Sequence, residues 1–153
     1  MVDVRKVPRS RMNPQYNAEV MPASLAPFDI AYEHMPALGG LRARIADIPR
    51  ETNAYWENDS FHNYADYAMT DAFRDALAQL VRRGEESRCA IMCAESVWWR
   101  CHRRIITDYL LAQGHDVFHI VGSDVPEPAR LTPEAQPSAH GLVYPARQGG
   151  LGL

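Results

Sequence analysis

An apolar run, a helical pattern and a second apolar run follow one another in this chain, and their order constrains the fold more than any other feature. Residues 89–93 are apolar and predict a short strand. Residues 99–113 carry apolar side chains at helical spacing and are followed by Gly114, a residue that commonly ends a helix. Residues 116–121 predict a further strand. Because strand, helix and strand are consecutive, we expect a βαβ unit with parallel pairing and a right-handed crossover.

Further elements are predicted on the N-terminal side of this unit. Residues 2–5 alternate apolar and polar side chains, and residues 30–34 resemble a second strand. Residues 17–25 predict a short helix whose length is limited by an internal proline. Gly39 and Gly40 then permit a tight turn or the close approach of a ligand.

The middle of the chain predicts an irregular segment and then a helix. Residues 41–64 show no clear period, so we expect a long surface excursion. Thr70 suits an N-cap, and apolar residues recur at helical spacing up to Gly84, which we expect to end the helix. The predicted fold class is a small three-layer α/β domain with a mostly parallel central sheet. We expect one domain over residues 1–146 and a loose tail over residues 147–153.

Composition restricts the class of protein. The chain has 153 residues, of which 46% are hydrophobic, and this is enough to bury one core. A formal net charge of −3 argues against a general nucleic-acid binder, which normally carries a basic excess. No apolar run approaches the roughly 20 residues that span a bilayer, and three cysteines do not resemble a disulfide framework. We therefore expect a soluble, cytoplasmic protein without a membrane partner.

Reactive side chains concentrate where the strand over residues 89–93 gives way to the next helix. Cys93, Glu95, Cys101 and His102 lie in this short segment. In open α/β proteins, sites are usually built at the carboxyl ends of strands. Cysteine, histidine and a carboxylate together supply the groups that nucleophilic thiol catalysis requires.

Each of these groups has a predicted role. A helix N-terminus and nearby guanidinium groups favour a thiolate at Cys93 or Cys101. Glu95 would orient His102 or act with it as a general acid/base. Arg103 offers a planar fork that matches a carboxylate or a phosphate.

Two alternatives stay open for this segment. Cysteines in strands are often small core residues, and the arginines could form a solvated helix face. Cys93, Cys101 and His102, with His34 or His119, are also zinc-compatible ligands. The spacing lacks the short Cys-x2-Cys clip of structural zinc sites, so we expect neither a metal nor another cofactor.

A second group of charged residues lies near the N-terminus. Asp3 and Arg5 stand two apart on a predicted strand, so their side chains should point to the same side of the sheet. Together with Arg9 and Arg11 on the following loop, they could hold an anionic ligand. The alternative is a local ion pair beside a solvated loop.

Several sequence blocks occur in an order typical of one family. They are Asp3 to Arg5, Pro8 to Ser10, Asn13 and Pro14 with Tyr16, Leu38 to Gly40, Phe61, Tyr64, Tyr67 and Met69, Cys93 to Glu95, Cys101 to Arg103, His119 and Ile120, Leu131 to Pro133, and Tyr144 with Pro145. In these blocks the chain resembles the family catalogued as domain of unknown function 488, over nearly all of residues 2–146.

The resemblance implies a compact α/β domain whose characteristic polar residues converge on one pocket. Members of the family typically begin with another strand and helix, the strand ending in Gly-His-Ser, before the Asp-Val-Arg strand. This chain starts within that second strand, so we expect it to lack the N-terminal strand-helix unit.

The leading functional hypothesis is an enzyme that acts on a small anionic or nucleotide-like ligand. The thiol would come from Cys93 or Cys101, and Arg5 and Arg103 would clamp the anion. Two other classes stay open, so the sequence leaves enzymatic activity undecided. One is a module that binds a ligand without turnover, and the other is a nucleic-acid-associated module that stacks aromatic side chains on bases. We expect a small anionic molecule or nucleotide as partner rather than nucleic acid, and the chain could form a homodimer.

Overall fold

The computed structural model describes residues 1–122 and 125–148. The described α-helices are α1 (Met21–Leu25), α2 (Asp59–Ala68), α3 (Asp71–Glu86) and α4 (Arg103–Ala112). The described strands are β1 (Val2–Asp3), β2 (Glu33–His34), β3 (Ile91–Met92), β4 (Phe118–His119), β5 (Glu127–Pro128), β6 (Gln136–Ser138) and β7 (Gly141–Val143). A loose tail was predicted over residues 147–153, and residues 149–153 of it lie outside the described residues.

The main sheet consists of β2, β1 and β3 in that order, and all three strands are parallel. Val2 of the central strand aligns with Glu33 on one side and with Ile91 on the other. The backbone N–H of Val4 donates to the carbonyl of Met92 at 2.9 Å and extends the contact beyond the two-residue strands. The predicted fold class, α/β with a parallel central sheet, is confirmed.

The βαβ unit predicted over residues 89–121 does not form. β3 and α4 are present, but β4 pairs antiparallel with β5 instead of joining β3 in the parallel sheet. Phe118 and Ile120 are exposed, whereas strands of a parallel sheet are usually buried on both faces. The apolar pattern thus indicated a strand but not its partner. The parallel strand-helix-strand unit that does occur runs from β1 through α1 to β2.

Residues 41–64, predicted as a surface excursion, contain most of a helix. α2 begins after Asn58, whose side chain accepts hydrogen bonds from the backbone N–H groups of Ser60 and Phe61. Asp59 in the first turn also suits the positive end of the helix dipole. This N-cap is the local signal that the periodicity argument missed.

The other helix boundaries agree in part with the prediction. α3 begins after Thr70, whose hydroxyl accepts a hydrogen bond from the backbone N–H of Phe73 at 3.4 Å. The helix does not end at Gly84 but continues to residue 86, because Gly84 keeps a helical conformation. Gly114 has a positive φ of 86° just after α4, as expected for a helix C-terminus.

The hydrophobic core combines side chains from β1, the three long helices and the C-terminal segment, which we define as residues 131–145. The largest fully buried apolar and aromatic side chains are Tyr64, Tyr144, Phe73, Leu38, Leu77, Ile105, Ile106 and Val4. Leu142 and Tyr144 of the C-terminal segment belong to the same core cluster. In the described part of the chain, no helix has both the length and the apolar character needed to cross a membrane.

Buried polar groups attach the C-terminal segment to the helices. The hydroxyl of Tyr144 donates to Asp108 Oδ2 at 3.0 Å, and the backbone N–H of Thr132 donates to Asp108 Oδ1 at 2.8 Å. The backbone N–H of Tyr144 donates to Asn53 Oδ1 at 3.0 Å, and Asn53 Nδ2 donates to Asp66 Oδ1 at 2.7 Å. Burial raises the pKa of both carboxyl groups, although these hydrogen bonds oppose the shift.

Candidate functional site

The reactive segment lies between the end of β3 and the start of α4. Cys93 follows β3 directly, and a short 3-10 helix, Trp98–Arg100, leads to Cys101. His102 immediately precedes α4, so Cys101 and His102 lie before the helix instead of within its first turn. The loop between β3 and α4 therefore begins with Cys93 and ends with Cys101 and His102.

Cys93, Cys101 and His102 form what we call the thiol-imidazole cluster. Nδ1 of His102 lies 3.6 Å from Sγ of Cys101 and 4.0 Å from Sγ of Cys93. The two sulfurs and a ring nitrogen all lie within 4.8 Å of one another. Cys101 is only 2% exposed, whereas Cys93 and His102 are partly buried. One imidazole nitrogen thus faces two sulfur atoms.

Gly40 makes room for this arrangement. A Cβ atom at this position would lie 2.9 Å from Nδ1 of His102. From the sequence, the paired glycines permitted a tight turn or the close approach of a ligand, and the group next to Gly40 in the structure is the imidazole of His102. The ring of Tyr64 lies on His102 as well, with ring centroids 4.8 Å apart. Packing therefore fixes the position of the imidazole.

Arg103 contacts the thiol-imidazole cluster through the sulfur of Cys101. Its Nε donates to Sγ of Cys101 at 3.2 Å, and its backbone N–H lies 3.5 Å from the same sulfur. A terminal guanidinium nitrogen donates to the carbonyl oxygen of Glu95 at 2.6 Å. Arg103 therefore uses two of its guanidinium N–H groups within the loop, and the sequence predicted that this side chain would clamp a bound anion.

The pKa values of the two thiols are shifted in opposite directions. The pKa of Cys93 is lowered to about 3, because the thiol of Cys101 donates to it and because His102 and the backbone N–H of Glu95 add further stabilisation. Burial acts in the opposite direction on Cys93. The pKa of Cys101 is raised, because its thiol donates to Cys93 and because it is buried. The expected state is a thiolate on Cys93 beside a thiol on Cys101.

A cavity of about 400 Å³ opens beside the cluster, and its wall includes all three cluster residues. The charged residues that line it are Arg5, Lys6, Glu95 and Arg100. Basic side chains therefore outnumber acidic ones around the opening, which favours anions. The predicted site residues Cys93, Glu95, Cys101, His102 and Arg5 line the cavity, and Asp3, Arg9, Arg11 and Arg103 are not among its lining residues.

Glu95 does not orient His102 in the described structure. The side chain of Glu95 is exposed, and its carbonyl oxygen, not its carboxylate, contacts Arg103. Nε2 of His102 is buried and has no hydrogen-bond partner within the described ranges. A contact between the carboxylate and the imidazole therefore requires a different side-chain position of Glu95.

Asp3 and Arg5 form a buried ion pair below the cavity. Arg5 donates from Nε to Oδ1 of Asp3 at 2.9 Å and from a terminal nitrogen to Oδ2 at 2.6 Å. Tyr32 also donates to Oδ2 at 2.6 Å. Burial alone would raise the pKa of Asp3, but the hydrogen bonds from Arg5 and Tyr32 outweigh it and the pKa is lowered. The two side chains share one side of the sheet, and they form the local ion pair that was the alternative to anion binding.

Arg9 and Arg11 of the N-terminal loop do not line the cavity. Arg9 lies 3.4 Å from Glu19 in an exposed ion pair, and Arg11 is exposed. The histidines considered as extra ligands are also separate from the cluster. Nε2 of His34 lies 2.7 Å from the carbonyl oxygen of Arg5, and His119 stacks on the indole of Trp98 at 3.9 Å.

Several residues that line the cavity were not predicted as site residues from the sequence. Asn58, Ser60 and Phe61 at the start of α2 line it, as do Lys6 and Leu41 from two loops. The start of α2 fell in the segment predicted to be irregular. The N-cap at Asn58 is the signal that would have identified a helix start there.

The family comparison agrees with the resemblance seen in the sequence. The family described as domain of unknown function DUF488 matches residues 1–110 of the 153 residues. This range includes both halves of the thiol-imidazole cluster, whereas the resembling blocks at residues 119–120, 131–133 and 144–145 lie beyond it. No curated protein and no solved structure matches the chain. Since the match covers well over half of the chain, the protein belongs to the DUF488 family.

Proposed function

We propose that the cavity is the active site of an enzyme that acts on a small anionic or nucleotide-like ligand, with Cys93 as nucleophile. The observation that carries the proposal is the position of His102 Nδ1, 4.0 Å from Cys93 Sγ and 3.6 Å from Cys101 Sγ, in the wall of the cavity. A thiol beside an imidazole is the basic unit of nucleophilic cysteine catalysis.

Access to the cavity distinguishes the two sulfurs. Cys101 is almost completely buried, and two N–H groups of Arg103 face its sulfur. Cys93 is partly buried, and the lowered pKa of Cys93 supports a thiolate there. Cys93 is therefore the sulfur that attacks, and Cys101 is a hydrogen-bond donor that stabilises it.

The proposed chemical step uses only groups in the cluster and the ligand. The thiolate of Cys93 forms a bond to an electrophilic carbon of the ligand, and the bond from that carbon to its leaving group breaks. His102 delivers a proton to the leaving group, as a general acid does. Water then attacks the adduct and the bond from carbon to sulfur breaks, which regenerates the thiolate, and the proton that water loses returns to His102.

The basic lining supplies the preference for an anion. Lys6 donates to the carbonyl of Leu41 at 3.2 Å, which holds its ammonium group near the opening. Arg100 is exposed at the same cavity, and Arg5 is fixed below it by Asp3. Since Arg5 is already neutralised by Asp3, Lys6 and Arg100 are the side chains most available to a ligand.

Two alkylating agents of similar size test this proposal. Iodoacetate carries a carboxylate and iodoacetamide is neutral, so their relative rates at one cysteine report the charge preference of its surroundings. The measured quantity is the ratio of the alkylation rate with iodoacetate to the rate with iodoacetamide. In the reduced, metal-free protein we expect this ratio to be about tenfold higher at Cys93 than at Cys89, which serves as the reference thiol outside the cluster. Peptide mapping by mass spectrometry measures both ratios in the same sample.

A variant completes the test. The double substitution Lys6→Gln and Arg100→Gln should bring the ratio at Cys93 down to that at Cys89 without lowering its rate with iodoacetamide. If Cys93 and Cys89 show the same ratio in the unmodified protein, the cavity does not select anions and the proposal is wrong.

Binding without turnover is a second candidate, and the exposure of Glu95 favours it. Among the described residues, the predicted acid/base pair of Glu95 and His102 is not assembled. Incubation with a metabolite mixture separates the candidates. Consumption of an anionic metabolite that Cys93→Ser abolishes supports the enzyme, whereas retained binding with no consumption supports the second candidate.

A further inference from the structure

We propose that Cys93, Cys101 and His102 form a binding site for a thiophilic divalent cation such as Zn²⁺, with the fourth coordination position open to the cavity. The spacing of these residues in the sequence argued against a metal. The structure nevertheless brings their ligand atoms within 4.8 Å of one another.

The two distances between sulfur and nitrogen are close to those of tetrahedral coordination. With zinc bonds of about 2.3 Å to sulfur and about 2.0 Å to nitrogen, a tetrahedral site places sulfur and nitrogen roughly 3.5 Å apart. Nδ1 of His102 lies 3.6 Å from one sulfur and 4.0 Å from the other. Small side-chain rotations would therefore bring all three atoms to one ion.

A bound cation explains better than hydrogen bonding alone why two sulfurs lie beside one nitrogen of His102. Nδ1 of an imidazole carries either one lone pair or one hydrogen, so it makes one hydrogen bond at a time, as acceptor from a thiol or as donor to a thiolate. Two sulfurs nevertheless face the same nitrogen of His102, and the packing of Gly40 and Tyr64 holds the ring there. A cation between the three atoms would satisfy both sulfurs and the nitrogen together.

The surroundings provide what a metal-bound thiolate needs. Nε of Arg103 donates to Sγ of Cys101 at 3.2 Å, and this bond can persist when the sulfur binds a metal. Two thiolates would neutralise the charge of a divalent ion.

Three protein ligands and an open position are typical of catalytic zinc sites, whereas structural sites have four protein ligands. The open position would face the cavity, where water or an anionic ligand could complete the coordination. Metal binding would occupy the sulfur of Cys93, so the metal-bound form could not use it as a nucleophile. The inference does not require the proposed thiol chemistry, and it gives the same cavity a second chemical state.

The test begins with reduced protein from which metals have been removed by a chelator. Titration with Zn²⁺ against a chromophoric chelator should give one high-affinity site per chain. The Co²⁺ form should show a thiolate-to-cobalt charge-transfer band. Cys93→Ser and Cys101→Ser should each weaken Zn²⁺ binding on the order of 100-fold, and Cys89→Ser should leave it unchanged.

Protection of thiols gives a second readout on the unmodified protein. Stoichiometric Zn²⁺ should protect Cys93 from iodoacetamide while Cys89 still reacts. Absence of the charge-transfer band and of this protection would overturn the inference, even if a variant fails to fold.

The result of the Zn²⁺ experiments can be distinguished from the result of the alkylation experiment that tests the proposed function. The iodoacetate preference of Cys93 is measured without metal, so failure of Zn²⁺ binding leaves it intact. Conversely, equal alkylation ratios at Cys93 and Cys89 would reject the proposed function and leave a positive metal titration standing.

Discussion

Gly40 and His102 are in direct contact, because a Cβ atom at Gly40 would lie 2.9 Å from Nδ1 of the imidazole. The two residues are far apart in the sequence and come from different loops. The position of the imidazole relative to both sulfurs thus depends on the absence of a side chain at residue 40.

Gly40→Ala should therefore destabilise the protein and disturb the cluster. The added methyl group must displace the imidazole, and overpacking of this kind costs about 1–3 kcal/mol in the free energy of unfolding. Gly84→Ala is the matched control, since its Cβ would have no neighbour within 4 Å at this exposed position of α3. It should stabilise the protein by about 1 kcal/mol. Urea denaturation measures both changes, and the same sign for both would contradict the packing argument.

Asp108→Asn should change how stability depends on pH. Burial raises the pKa of Asp108 in the folded state, so its contribution to stability is fully present below the unfolded pKa of about 3.9 and is lost as pH rises through the folded value. The stability of the unmodified protein relative to Asp108→Asn should therefore fall as pH rises through this window. Urea denaturation at a series of pH values measures the difference.

Asp75→Asn provides the control for this experiment, because it makes the same change in charge on the exposed face of α3. A difference between the unmodified protein and Asp108→Asn that stays constant with pH would show that Asp108 does not titrate as its burial implies.

Tyr144→Phe should cost about 1.5–3 kcal/mol, because it removes the hydroxyl that donates to the buried carboxylate of Asp108 at 3.0 Å. Tyr67→Phe makes the same change at an exposed hydrogen bond to the carbonyl of Ala37. Its expected cost is about 0.5–1 kcal/mol. Equal losses in urea denaturation would mean that the bond to Asp108 has no special importance.

Breaking the ion pair between Asp3 and Arg5 should be strongly destabilising. Asp3→Asn leaves a guanidinium that is only 7% exposed without its counter-charge, and such a change costs about 3–5 kcal/mol. Glu19→Gln removes the exposed partner of Arg9 and should change stability by less than about 1 kcal/mol. Thermal and urea denaturation measure the loss of stability in each variant. Similar small losses in both would show that the pair of Asp3 and Arg5 is well solvated.

Local signals in the sequence were sufficient for part of the fold. Strands were predicted near residues 2–5, 30–34 and 89–93, and each region contains a shorter strand of the parallel sheet. The cap at Thr70 was also predicted, since a capping hydroxyl acts on a backbone group three residues away. Such features depend on neighbours in the chain, and the sequence displays them directly.

Features that depend on distant residues were not predictable in the same way. The strand at residues 118–119 was foreseen, but its antiparallel partner was not, because periodicity carries no information about pairing. The site shows the same division. Cys93 and His102 were grouped correctly because they flank one short loop, whereas the contact of Gly40 with that histidine depends on the tertiary fold. Likewise, the hydrogen bonds from Arg103 to Cys101 and to the carbonyl oxygen of Glu95 depend on how the loop folds.

The hydrogen bonds of Tyr144 have a consequence for where this domain can be cut. The family match ends at residue 110, yet Tyr144 fills the core and bonds to Asn53 and Asp108 inside the matched range. Ending the chain at the family boundary would open the core and leave these buried groups without partners, at about 1–3 kcal/mol each. The end of the family match at residue 110 is therefore not a boundary of independent folding.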